Sequence, residues 1–129
     1  MQYLLDTVTI VRHFSGHGKI GRKAADILDV VEVRSDLLLI SVISLMEILY
    51  LSEKNRISID LPKTLEWIES SPKYAMVDLN ADILRVARTI SFGELHDRLI
   101  LATAKWLDVP ILSSDGAFKD VRGITVIWE

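Results

Sequence analysis

Four carboxylates in this chain stand where solvated charges are not expected. Asp6 closes the apolar run Tyr3-Leu4-Leu5, and Glu47 is set inside Ser44-Leu45-Met46-Glu47-Ile48-Leu49. Asp97 begins the apolar segment Leu99–Leu107, and Asp115 follows Ile111-Leu112-Ser113-Ser114. Close carboxylates repel one another and are costly unless something positive sits among them. Arg98 or a lysine is one source of that charge. A hard divalent cation is the other, because Mg²⁺ and Mn²⁺ take oxygen ligands. An acid cluster with no His or Cys in it points to metal-assisted phosphodiester chemistry. Each acid also has a purely local use. Asp6 can cap the helix that follows it. Ser44-x-x-Glu47 reads as a capping box, with Ile43 and Ile48 spaced for a hydrophobic staple. Asp97 suits the first turn of a helix, where the dipole favours an acid. Asp115-Gly116 suits a turn.

The elements that must carry these acids are legible from hydrophobic periodicity. Gln2–Leu5 reads as a short strand and Val8–Phe14 as a helix. Ile20–Val31 is helical by period, with Ile20, Ala24, Ile27, Leu28 and Val31 on one stripe. The continuous apolar run Leu37–Val42 suits a strand buried on both faces. Ser44–Lys54 reads as the next helix. Asp60–Ser70 follows as another, opened by Asp60 and Pro62 and stopped before Pro72. Lys73–Val77 is a strand, and Asn80 caps a helix carrying Ile83, Leu84, Ala87 and Ile90. Leu95–Leu107 is a largely apolar, central helix. Pro110–Ser113 and Ile124–Trp128 are the last strands. Strands alternating with helices predict an α/β sandwich on a mostly parallel sheet, with its site at the carboxyl ends of the strands.

The 129 residues are half hydrophobic, enough for one sizeable core, and one domain spanning residues 1–129 is expected. Lys plus Arg is 15 against 18 Asp plus Glu, a net charge of −3, so bulk charge is not the source of any grip on nucleic acid. There is no cysteine, which excludes disulfides, thiolate nucleophiles and Cys-ligated metals. The longest nearly uncharged apolar run, Leu37–Met46, is far short of the ~20 residues that span a bilayer. A cytoplasmic location and no membrane partner are expected.

Other motifs are weaker. Gly16, Gly18 and Gly21 match G-x-G-x-x-G, but a helix intervenes between them and the first strand, which points to a helix–helix turn. Gly18-Lys19 is followed by Ile20, so a P-loop hydroxyl is missing. His96-Asp97 matches the HD pair of metal phosphohydrolases, yet His13 and His17 are its only further candidate ligands, on either side of the Ser15-Gly16 break. Trp67, Trp106 and Trp128 suit packing rather than a stacking platform. Lys19, Arg22 and Lys23 form a basic cluster that suits either a solvated helix face or RNA phosphates.

At the four acids the chain resembles the PIN-domain nucleases, specifically the VapC-type toxins of prokaryotic toxin–antitoxin pairs. The matching pieces are Tyr3-Leu4-Leu5-Asp6-Thr7, Ile40–Ile48, Leu95–Ala104 and Ile111–Phe118, in the family's order and spacing. The resemblance implies a three-layer PIN-like sandwich on a five-stranded sheet. It implies a Mg²⁺- or Mn²⁺-dependent endoribonuclease whose acidic positions are Asp6, Glu47, Asp97 and Asp115. The family's hydroxyl near the last acid falls on Ser113, and Thr7 matches the small hydroxyl residue after the first. Glu94 holds the place of an additional acid, three residues before the third. Arg98 and the Lys19–Lys23 cluster are candidates for RNA phosphate contacts. The implied partners are RNA, a cognate antitoxin and a second copy of the chain. Two alternatives remain at this level: a nuclease of the same fold in RNA maturation or turnover, and a non-catalytic binding module whose acids are caps and turns.

Overall fold

The computed structural model describes residues 1–129. Strands β1 (Gln2–Leu5), β2 (Leu37–Ser41), β3 (Tyr74–Val77), β4 (Ile111–Leu112) and β5 (Val126–Ile127) form one sheet in the order β3-β2-β1-β4-β5. Every adjacent pair is parallel. The helices are α1 (Thr7–Ser15), α2 (Arg22–Val30), α3 (Val42–Glu53), α4 (Leu61–Glu69), α5 (Ala81–Ala87) and α6 (Leu95–Leu107).

Alternation along β1 divides the core. Tyr3 and Leu5 face a layer that includes Ile10 of α1, Ala24 and Leu28 of α2 and Ile68 of α4. Leu4 faces the opposite layer, which includes Ile83 and Ala87 of α5 and Leu99–Ala102 of α6. Helix α3 serves both, with Leu45 and Ile48 in the first and Ile43 in the second. The chain moves outward from β1 to β2 to β3, then returns on the other side of β1 as β4 and β5. The order therefore reverses between β1 and β4, where such sheets open a crevice at the carboxyl ends of their strands.

Helix boundaries follow their caps. Asp60 Oδ1 accepts from the Lys63 N–H at 2.8 Å to open α4, and Asn80 Oδ1 accepts from the Ile83 N–H at 2.9 Å to open α5. Helix α3 departs from its predicted start. Ser41, the last residue of β2, caps it by accepting from the Ile43 N–H at 3.1 Å, so strand runs into helix with no loop. Ser44 is then wholly buried within the first turn and the Ser44–Glu47 capping box does not form. Glu47 sits in the second turn, beyond reach of a capping role.

The glycines of the G-x-G-x-x-G run serve the connection between α1 and α2. Gly16 ends α1 in the left-handed region, at φ 73°. Gly21 lets the start of α2 approach the C-terminal segment, since a Cβ there would sit 2.3 Å from the carbonyl oxygen of Trp128. Gly21→Ala is therefore expected to cost about 1–3 kcal/mol through overpacking, a fall of about 4–10 °C in melting temperature by calorimetry.

Candidate active site

Asp6 is the first residue beyond β1 and is 7% exposed. It caps α1: its Oδ1 accepts from the Thr9 N–H at 2.9 Å, and the Thr9 hydroxyl lies 2.7 Å from the same oxygen. Its Oδ2 accepts from the Ser113 hydroxyl at 2.5 Å. The local use expected of Asp6 is thus real, but it occupies only part of the carboxylate. Burial pushes the Asp6 carboxyl above the usual carboxylate range, against the opposing pull of the Ser113 and Thr9 hydrogen bonds, and the charge of Asp115 adds to the rise.

Ser113, just past β4, is buried and joins two of the acids. Its Oγ donates to Asp6 and accepts from the Asp115 N–H at 3.1 Å. Asp115 in turn caps a 3₁₀ turn (Gly116–Asp120), its Oδ1 accepting from the Ala117 N–H at 2.9 Å. Thr7 makes the corresponding link on the other flank. Its Oγ1 donates to Glu47 Oε1 at 2.6 Å and lies 2.9 Å from Ser44 Oγ. Each hydroxyl fixes one carboxylate oxygen and leaves acceptor capacity on the other side.

Asp97 occupies the first turn of α6, as its position in the sequence suggests. Its carboxyl is pushed up to about 6, first by burial, then by the charges of Glu94, Glu47, Asp115 and Asp6. The charges of the other three predicted site acids and of Glu94 thus all bear on this one carboxylate. Glu94 is the N-cap of α6, its Oε2 accepting from the Asp97 N–H at 2.6 Å.

Arg98 is not brought into the crevice. It lines a groove between α5 and α6 with Leu84, Arg85, Arg88 and Leu95, and its Nε has no hydrogen-bond partner. No lysine or arginine forms an ion pair with Asp6, Glu47, Asp97 or Asp115; the His96 Nδ1 lies 3.9 Å from Glu47 Oε2 and 3.4 Å from Glu94 Oε1. The internal counter-charge considered from sequence is therefore absent. An all-oxygen donor set without a resident cation fits Mg²⁺ or Mn²⁺. No three acid or histidine side chains converge as a ready-made chelate.

Sequence reasoning missed Thr9, Ser44 and His96 as neighbours of the acids. Asp6-x-x-Thr9 carried a signal, since a cap aspartate meets the residue three positions on. His96 is visible beside Asp97, but the sequence offers it as half of an HD pair rather than as a neighbour of Glu47. His13 lies elsewhere, its Nε2 2.7 Å from Tyr74 Oη, in an aromatic cluster where Phe14 stacks on Trp67 with centroids 5.2 Å apart. The basic cluster Lys19, Arg22 and Lys23 is exposed or nearly so. Its α2 end is tied to the carboxyl side of β5 through the Ala24 N–H, which donates to the Trp128 carbonyl at 3.1 Å. That is the sheet edge on which the acids stand.

A parallel sheet ordered 3-2-1-4-5 with acids at its switch point defines a class, and comparison names it. Residues 3–124 match the family model of the PIN domain, and the chain belongs to that family. Among solved structures it is similar to the VapBC2 complex of Rickettsia felis bound to a promoter DNA fragment, at 17% identity and TM-score 0.75, covering 100% of both chains. The DNA-bound VapBC of Salmonella typhimurium matches at 19% identity and TM-score 0.72, over 98% of this chain and 97% of that one. FitAcB of Neisseria gonorrhoeae matches at 18% and 0.63, over 97% and 96%. No curated protein matches the sequence. No helix is long and apolar enough to cross a membrane.

Proposed function

We propose that the chain is a metal-dependent endoribonuclease and the toxin half of a toxin–antitoxin pair, acting on cytoplasmic RNA. PIN-domain membership makes nuclease chemistry the class of activity. The observation that carries the site is the set of buried hydroxyl links that hold its acids, Ser113 joining Asp6 to Asp115 and Thr7 holding Glu47, with no lysine or arginine paired to the four main acids. The toxin reading is supported by similarity to toxin–antitoxin complexes along nearly the whole chain. An antitoxin is the partner this implies, and a homodimer is the proposed assembly. Exposed Met76 on edge strand β3, Leu79 just beyond it and Leu84 on α5 are the apolar side chains offered for it.

Asp6, Glu47, Asp97 and Asp115 would hold Mg²⁺ or Mn²⁺. The cation supplies Lewis acidity toward a phosphate oxygen and lowers the pKa of a nearby water. Ser113 and Thr7 hold the Asp6 and Glu47 carboxylates in fixed rotamers across the crevice. Asp97, at the start of α6 and under the charges of the other acids, takes the proton from the water that attacks phosphorus. The new phosphorus–oxygen bond forms as the ester bond opposite it breaks in line, and the leaving oxygen takes a proton from solvent water, to which Asp97 later returns its own. Arg22, Lys23 and Lys19 contact RNA phosphates along the same sheet edge.

The test is RNA cleavage in Mg²⁺ or Mn²⁺, abolished by EDTA and restored by excess cation; cleavage indifferent to EDTA overturns the metal-dependent reading. A second measurement uses the acids directly. In the metal-free protein Asp97 ionises near 6 rather than the ordinary 3.8, so its contribution to stability falls as pH rises through that window. A bound cation reverses this by favouring the ionised form. Mn²⁺ at about 100 times its Kd should then raise the melting temperature by about 10 °C near pH 7.5, and by much less near pH 5. An equal shift at both pH values would place the ion elsewhere.

A further inference from the structure

The outer face of α3 remains unused by the chemistry above. Helix α3 is apolar nearly all round, and Met46 and Tyr50, one turn apart, are 45% and 53% exposed. With Leu51, Glu47 and His96 they line an open cavity of about 410 Å³ whose surface is mainly apolar. Glu47 therefore belongs both to this cavity and to the acidic crevice. The Lys54 Nζ stands over the Tyr50 ring, 5.8 Å from its centroid.

We infer that this cavity is a nucleobase subsite, which takes the base of the nucleotide adjoining the scissile phosphate of single-stranded RNA. The inference rests on the ribonuclease reading and adds to it where the base goes. A strand whose phosphate lies against the acids must lay its neighbouring nucleotide on one flank of Glu47, and the flank formed by α3 and His96 is this cavity. Tyr50 and His96 offer ring faces and Met46 a polarisable side chain, the groups on which unstacked bases settle. Lys54, beyond Tyr50, suits the next phosphate along. A second copy of the chain is the competing occupant. It fits less well, because a dry seam here would take the Glu47 carboxylate out of water with a single hydroxyl, that of Thr7, donating to it, whereas a base brings further polar edges to meet it.

Two measurements on the full chain decide it. In the first, a single-stranded RNA oligonucleotide carrying 2-aminopurine and non-hydrolysable phosphonate linkages is titrated with protein in Mn²⁺, so that the cation stays bound and no cleavage follows. Wild type quenches the probe. Tyr50→Ala binds it about tenfold or more weakly, the scale expected for loss of one base–aromatic stack, while Tyr50→Phe retains the affinity. In the second, steady-state cleavage in Mn²⁺ shows the Tyr50→Ala loss mainly in KM. An abasic substitution beside the scissile phosphate costs wild type the same factor and costs Tyr50→Ala nothing further. Equal affinity of wild type and Tyr50→Ala for the probe overturns the subsite. So does a Tyr50→Ala change confined to the sedimentation behaviour, which would make the face a contact between copies. Absence of cleavage by wild type with intact, Tyr50-dependent probe binding would instead sink the ribonuclease reading and leave the base site standing.

Discussion

Asp6→Asn is expected to abolish the proposed Mg²⁺- or Mn²⁺-dependent RNA cleavage and to leave the fold standing. Asp6 is buried at the switch point of the sheet, and three hydrogen-bond donors from Thr9 and Ser113 hold its two oxygens. Asparagine keeps the size and the Oδ1 that caps α1. The Ser113 hydroxyl can rotate to meet the new amide, since it already accepts from the Asp115 N–H. Stability changes little for a second reason. Burial and the Asp115 charge disfavour the ionised form of Asp6, so removing its charge relieves repulsion in the metal-free protein. The chemistry has no such reserve, because an amide oxygen is a poor substitute for a carboxylate against a divalent cation. A loss of at least about 10³-fold in kcat/KM is expected, about 4 kcal/mol of transition-state stabilisation. Melting temperature and cleavage rate are measured on the same preparation. Wild-type cleavage by the variant removes Asp6 from the site.

Glu47→Gln produces a loss of similar size by a different route. Were Glu47 a capping residue, glutamine would serve equally and nothing would change. Its observed partner is the Thr7 hydroxyl, which donates to Oε1 at 2.6 Å. The glutamine carbonyl accepts that bond too, so the link between α1 and α3 survives and the melting temperature stays within about 2 °C of wild type. What disappears is one negative charge among the acids proposed to hold the cation. Cleavage is expected to fall by about 10²–10³-fold with Mg²⁺, and metal uptake by calorimetry to weaken in parallel. Cleavage at the wild-type rate would reduce the site to three acids.

Much of this was legible in the residues because it depends on near neighbours. Apolar runs of strand length marked β1 and β2, and a carboxylate at the end of such a run had to emerge at a sheet edge. Asp60 and Asn80 announced the starts of α4 and α5, since a cap needs only the N–H three residues on. The order and spacing of the four acids were enough to suggest the family.

Other features depended on contacts that no local window contains. Ser44 and Glu47 have the spacing of a capping box, yet Ser41 takes the cap because β2 runs straight into α3, and Glu47 turns instead to Thr7, forty residues away. Ser113 reaches Asp6 across 107 residues. Arg98 adjoins Asp97 in sequence, but consecutive helical residues point about 100° apart, and it faces the α5–α6 groove rather than the acids. The residues alone thus determined which groups could do the chemistry and at which edge of the sheet they emerge. Only the tertiary structure decided which hydroxyl holds which carboxylate and which cation stays out, because those choices follow from how separate helices pack on the sheet.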